Sequence, residues 1–177
     1  MNKYSKTQPL IKDRQALQNY QNQFQELSDL LLGLLNTPVK TVHHIGGTAH
    51  FNYPTEPILD LLVGVTNLHD ITALDEKRLN YAGFYRLHHR YKKKVVMAQF
   101  NNMKELKQIV RLHILQIESD QYDHYLTMQE ALTHNSELQA EFAEAKQALH
   151  AKSETIRDYE TGKSALFEKL SRRYGLN

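Results

Sequence analysis

The chain has 177 residues, a formal charge of +2 and no cysteine, and its pI is near 8.7. That length suits one domain with a sizeable core. The missing thiols exclude disulfides and thiolate-bound zinc, and the mild charge excludes the basic balance of a dedicated DNA binder. The first thirty residues are polar and the apolar runs are short, which predicts neither a signal peptide nor a membrane span. A cytoplasmic protein is expected.

Leu17, Tyr20, Phe24, Leu27, Leu31 and Leu34 recur at spacings of three and four, so a long amphipathic helix is predicted to start at Asp13 as N-cap and to end at Asn36 and Pro38. A loop with Gly46-Gly47 and two prolines follows. Ile58 to Val65 is then apolar on both faces apart from Asp60, the pattern of a central strand covered on both sides. Asn67 caps a short helix carrying Leu68, Ile71, Leu74 and Leu79 that closes at Gly83.

Strand-like segments follow at Phe84 to Arg90, Val95 to Phe100 and Ile109 to Ile117, the first two joined across a Lys92 to Lys94 turn as a meander. Beyond Ser119 the pattern is helical: Asp120 to Thr133, a helix opened by a Ser136–Gln139 capping box, and a last helix from Ser153 to Gly175 with Ile156, Tyr159, Lys163, Leu166, Phe167 and Leu170 on one face. The expected architecture is α/β (α+β), one domain over residues 1–177, with a mixed central sheet packed by an N-terminal helix and a C-terminal helical region. From Lys77 to Lys104 there is no acid and there are eight cationic side chains. Such a strip can attract a phosphate-bearing ligand or RNA, or can simply guard an exposed sheet edge.

An aspartate between Leu59 and Leu61 requires a partner, because an unpaired buried charge costs several kcal/mol. Period two places Ile58, Asp60, Leu62 and Gly64 on one face, and Arg111 and His113 on one face of the later strand. Both can reach Asp60 if those strands are neighbours. Gly46 and Gly47 can turn sharply and admit a phosphate to backbone N–H groups, with the Thr48 hydroxyl at the same corner, or can form a plain turn. His44, His113 and Asp60 could form a site suited to a transition metal rather than Mg²⁺, or the histidines could be satisfied by backbone carbonyls; His43 and His50 carry no strong case. Arg111, Lys146 and Lys163 read either as phosphate ligands or as surface cations.

Gly46-Gly47, twelve intervening residues and Asp60 in a hydrophobic strand resemble the signature of the nucleotidyltransferase superfamily. More narrowly, His44-Ile45-Gly46-Gly47-Thr48 with Glu56-Pro57-Ile58-Leu59-Asp60-Leu61 resembles the GrpB family. Arg111-Leu112-His113-Ile114, Phe142 with Lys146, and Tyr159 with Lys163 continue the likeness over residues 15 to 170. The resemblance implies a nucleotidyltransferase-like fold and a divalent metal, Mg²⁺, held by carboxylates, with Asp60 as the catalytic residue. Combined with the chemistry of the individual residues, it leads to a nucleotide or phosphate ligand expected near His44, Gly46, Gly47, Thr48, Arg111, Lys146 and Lys163, and the metal on Asp60 and His113. It also exposes departures. Leu62 stands where the superfamily has its second acid, Gly47 replaces a serine, Glu56 replaces a lysine, and Gln129-Glu130 replaces an Arg-Asp pair. Two readings follow: a metal-dependent nucleotidyltransferase, or a catalytically inactive nucleotide-binding or interaction protein on the same fold.

Overall fold

A computed structural model of the chain describes residues 7–71, 73–87 and 93–176. Asp13 does act as a cap, but of a short 3-10 turn, its carboxylate accepting from the Gln15 N–H; helix α1 then runs Leu17–Gly33. Strand β1 is Val39–Ile45, β2 is Leu59–Val65 and α2 is Ala73–Tyr81. They are followed by β3 (Tyr85–Arg86), β4 (Val95–Phe100) and β5 (Gln108–Gln116). The chain ends in α3 (Asp120–His134), α4 (Ser136–Lys152) and α5 (Ile156–Arg173).

The five strands form one mixed sheet in the order β1-β2-β5-β4-β3. β2 lies parallel to β5, and the other neighbours are antiparallel. The β2–β5 register sets Asp60 opposite Arg111 and Leu62 opposite His113, so these strands are indeed neighbours.

Alternation along the strands divides the core. Leu59, Leu61, Val63 and Val65 of β2 join Val110, Leu112 and Ile114 of β5 on one face, where Tyr20, Phe24, Leu27 and Leu31 of α1 cover them. Leu62 and Leu115 point to the other face and pack with Ile45 and Tyr122 under α3. A second apolar cluster, with Tyr53, Met128, Leu132, Leu138, Phe142 and Leu170, binds α3, α4 and α5 together. The sheet is thereby sandwiched, which is what β2's two-sided apolarity requires.

Several boundaries differ from the sequence expectation. Val39–Ile45 is a strand, where the sequence pattern suggested no element, because its exposed Lys40 and half-buried Thr41 to His44 hide the alternation of an edge strand. Asn67 caps a 3-10 turn, its side chain accepting from His69, and α2 starts only after it. Helix α4 is capped by Asn135 instead of Ser136, and Gln139 donates to the Thr133 carbonyl, so the capping box is not formed. Helix α5 is capped by Thr155, two residues after Ser153. The expected strand from Phe84 is described only at Tyr85–Arg86; His88 to Lys92 lie outside the described residues, as does the side chain of Leu74. Among the described residues no helix is long and apolar enough to cross a membrane.

Candidate functional site

Asp60 sits on the α3-facing side of β2 with its side chain 14% exposed, and both of its oxygens are taken. Arg111 donates from Nε to Oδ1 at 2.7 Å and from Nη2 to Oδ2 at 3.1 Å, a bidentate fork. His113 Nε2 lies 2.8 Å from Oδ1. A carboxylate only accepts, so that nitrogen carries the proton. His113 Nδ1 is then an acceptor, buried and without a hydrogen bond among the described residues.

From Arg111 the charges continue to α5 and α4. Nη1 donates to Glu160 Oε1 at 2.6 Å, and Lys163 donates to the same oxygen at 3.2 Å. Lys163 lies 3.7 Å from Glu56 Oε1, and Lys146 lies 3.4 Å from Glu56 Oε2 while donating to Thr55 Oγ1 at 3.0 Å. Lys146 is buried, its ammonium lying over the rings of Tyr53 and Phe142. Lys163 lies over Tyr159, whose hydroxyl is close enough to favour the ionised form of Glu56 but stands outside hydrogen-bond geometry. At the opposite end, Lys94 donates to the Tyr125 hydroxyl, and the Tyr125 ring lies 5.7 Å from that of His113.

The glycine corner borders this cluster. Gly46 has φ +78°, a conformation L side chains resist, and a Cβ there would stand 3.2 Å from Asp60 Oδ2. Its N–H donates to Gln129 Oε1 at 2.8 Å, and its carbonyl accepts from Gln129 Nε2 at 3.4 Å. Gly47 is pressed against the next loop, since a Cβ would fall 2.5 Å from Thr55 Cβ. His44 and Thr48 hydrogen-bond each other at 2.9 Å. His43 bonds the Tyr122 hydroxyl and His50 accepts from the Asn52 N–H; neither bonds Asp60.

Electrostatics follow from this packing. Burial pushes the Asp60 carboxyl up, but Arg111 and His113 outweigh it and hold the pKa well below the usual range. Burial raises Glu56 and Glu160 as well, and in each the neighbouring cations win: Lys163 and Lys146 for Glu56, Arg111 and Lys163 for Glu160. Burial, with Lys94 nearby, lowers His113 to about 4 despite Asp60. Lys146 is lowered by burial to about 8, with Glu56 opposing, whereas Lys163 is raised because Glu160 and Glu56 overcome its burial. At neutral pH the cluster is therefore a chain of ionised carboxylates and cations around a neutral histidine.

Asp60 and His113, the metal ligands expected from sequence, are bonded to each other, and Arg111 grips both oxygens of Asp60. Leu62, where a second acid is expected, is fully buried in the apolar cluster under α3. Among the described residues no three His, Cys, Asp or Glu side chains converge on a point. This donor set does not fit Mg²⁺, which wants several oxygen ligands in octahedral array. Glu160 and Tyr125 were not expected at the site, Lys94 was read only as part of the cationic strip, and Gln129 only as a departure from the family's Arg-Asp pair. Glu160 had one readable signal, its i,i+3 spacing from Lys163 on one helix face. The contact of Gln129 with Gly46 had no signal, because its partner is a backbone group 83 residues away.

A mixed sheet carrying a Gly-Gly corner beside a strand aspartate, with helices on both faces, defines a nucleotidyltransferase-like fold. Over 79% of this chain and 40% of the other, the structure superposes with TM-score 0.52 and 10% identity on Cid1, described as having RNA terminal uridylyl transferase activity. It matches a crystal structure of the conserved protein GrpB from Enterococcus faecalis with TM-score 0.74 and 22% identity, over 93% of this chain and 95% of that one. A glutamate-rich protein GrpB from Alkalihalophilus pseudofirmus is 28% identical over 136 residues, 76% of this chain and 78% of the relative. The family model described as GrpB protein matches residues 13–173. The chain belongs to the GrpB family.

Proposed function

We propose that this chain binds a phosphate-bearing small molecule, a nucleotide, at the Asp60–Arg111–His113 cluster, and that protein cations take the neutralising role a metal has elsewhere on this fold. The observation that carries the reading is the bidentate grip of Arg111 on Asp60. A guanidinium already stands where a cation is needed, and it is a phosphate-binding group in its own right. Around it the cations Arg111, Lys146 and Lys163 meet the carboxylates Glu56, Asp60 and Glu160, with Lys94 on the neighbouring Tyr125 hydroxyl. Cations held in partly buried surroundings attract an anion more strongly than they would in bulk water. His113 Nδ1 adds a buried acceptor for a ligand N–H or O–H. The same fold in Cid1 has been described with Mg and 3'-dATP bound, at TM-score 0.52, which supports a nucleotide over other anions.

Thermal shift with a panel of nucleoside mono-, di- and triphosphates, each in Mg²⁺ and in EDTA, tests this. A rise in Tm that survives EDTA and disappears in Arg111→Met is expected. A second reading, metal-dependent nucleotidyl transfer, draws on the contact between the Gly46 corner and Asp60, and it requires Arg111 to release Asp60, since the donor set as it stands does not fit Mg²⁺. It predicts a rise seen only with Mg²⁺ and transfer of label from a nucleoside triphosphate that Asp60→Asn abolishes. No shift with any nucleotide under either condition removes both readings.

A further inference from the structure

Glu56 comes from the loop ahead of β2, and its side chain is only 7% exposed. Three donors from three segments meet it. The Lys146 ammonium of α4 lies 3.4 Å from Oε2, the Lys163 ammonium of α5 lies 3.7 Å from Oε1, and the neighbouring Thr55 hydroxyl donates to Oε2 at 3.4 Å. Two ammoniums and a hydroxyl converging on a pair of oxygens also suit two oxygens of a phosphate. The loop is pinned: Ile11 and Thr55 exchange backbone hydrogen bonds of 2.7 and 2.8 Å, and Gly47 packs on Thr55 where no Cβ fits. Glu56 is therefore a fixed occupant. Its position is continuous with the Asp60–Arg111 corner, because Lys163 contacts both Glu56 and Glu160, and Glu160 binds Arg111.

We propose that Glu56 is a resident anion filling the second oxyanion position of the cluster, so that the site accepts a ligand with a single phosphate group and rejects di- and triphosphates. This rests on the reading that the cluster binds phosphate. A second phosphate extending from the Arg111 corner towards Lys163 meets a carboxylate that has already claimed the cations and that repels it. The ligand class is a phosphomonoester.

Inorganic phosphate and pyrophosphate test this without commitment to a base or sugar, with affinities measured by calorimetry on the full chain. The wild type is expected to bind phosphate about tenfold more tightly than pyrophosphate. Glu56→Gln is expected to raise pyrophosphate affinity by about tenfold, the scale of one charge-assisted contact, with little change for phosphate. A wild-type preference for pyrophosphate, or an unchanged ratio in Glu56→Gln, overturns the inference and leaves the phosphate-binding reading standing. If the wild type binds neither anion, the phosphate-binding reading falls. The inference, which rests on that reading, then falls with it. Should Glu56→Gln fail to fold, the double variant Glu56→Gln/Lys146→Met removes the inner charge pair together and keeps Lys163 in place. It is expected to gain pyrophosphate affinity, and no gain overturns the proposal.

Discussion

Asp60 and Arg111 face each other across the parallel pairing of β2 and β5, in direct register, and the guanidinium holds both carboxylate oxygens. Their side chains are 14% and 6% exposed, so removing one partner strands charge in a poorly solvated place. Arg111→Met is expected to cost about 3–5 kcal/mol in urea denaturation, since Asp60 and Glu160 both lose their guanidinium. Asp60→Asn should cost less, about 1–3 kcal/mol, because an amide still offers Arg111 an acceptor. The double variant should lose less than the two single losses combined, with a coupling of about 1–3 kcal/mol. Additive losses would show that the pair is not coupled.

Acid should weaken the fold in two stages. His44, His50 and His113 are each lowered by burial to about 4 from an ordinary 6.5. The unfolded chain therefore binds more protons than the native one between those values, and stability falls as pH drops from about 6.5 towards 4. Below that, Asp60, Glu56 and Glu160, whose folded values are depressed, lose their contribution as they protonate. Urea midpoints measured from pH 8 to 4 should decline from about pH 6.5 and not first at pH 4. His113→Asn should flatten part of the upper stage.

The glycine corner is intolerant of side chains for two separate reasons. Gly46→Ala meets the positive φ, at a cost of about 1–2 kcal/mol. Gly47→Ala drives a methyl into Thr55 and should cost about 1–3 kcal/mol by overpacking. Because Thr55 accepts from Lys146, that second variant should also disturb the Glu56 pocket. Equilibrium unfolding of both, with wild-type stability in either as the contrary result, checks the account.

Restoring the acid that the superfamily carries at position 62 should not restore a metal site. Leu62 is fully buried among Ile45, Leu115 and Tyr122, so Leu62→Asp places an unpaired carboxylate in apolar surroundings at a cost of several kcal/mol, about 3 or more. Asp60 meanwhile remains in the grip of Arg111. Mn²⁺ titration followed by electron paramagnetic resonance is expected to show no tight binding to Leu62→Asp. Tight stoichiometric binding would mean that Arg111 yields Asp60 readily.

Much of the scaffold is written in local patterns. The apolar stripe of α1 and the two-faced apolarity of β2 are periodicities within one segment, and each needs only its own residues to be read. A lone aspartate in such a strand demands a cation on desolvation grounds alone, and β5 offered Arg111 on the matching face. Strand β1 was hidden, because an edge strand covered unevenly shows no clean alternation. The caps of α4 and α5 slipped by one or two residues, since several Ser, Thr and Asn side chains compete at each helix start and local geometry chooses among them.

From its residues alone, the chain determined that a buried negative charge at Asp60 must be paired and that a glycine corner precedes it, because solvation cost and backbone freedom are properties of single residues. Only the tertiary structure decided that Arg111 takes both oxygens of that carboxylate, that Glu56 lies between Lys146 and Lys163, and that Gln129 clamps Gly46. Those pairings depend on strand order and helix placement, which bring together groups 51 to 107 positions apart in the chain. Contacts at such separations are chosen by the packing of the whole domain, and no local pattern encodes them.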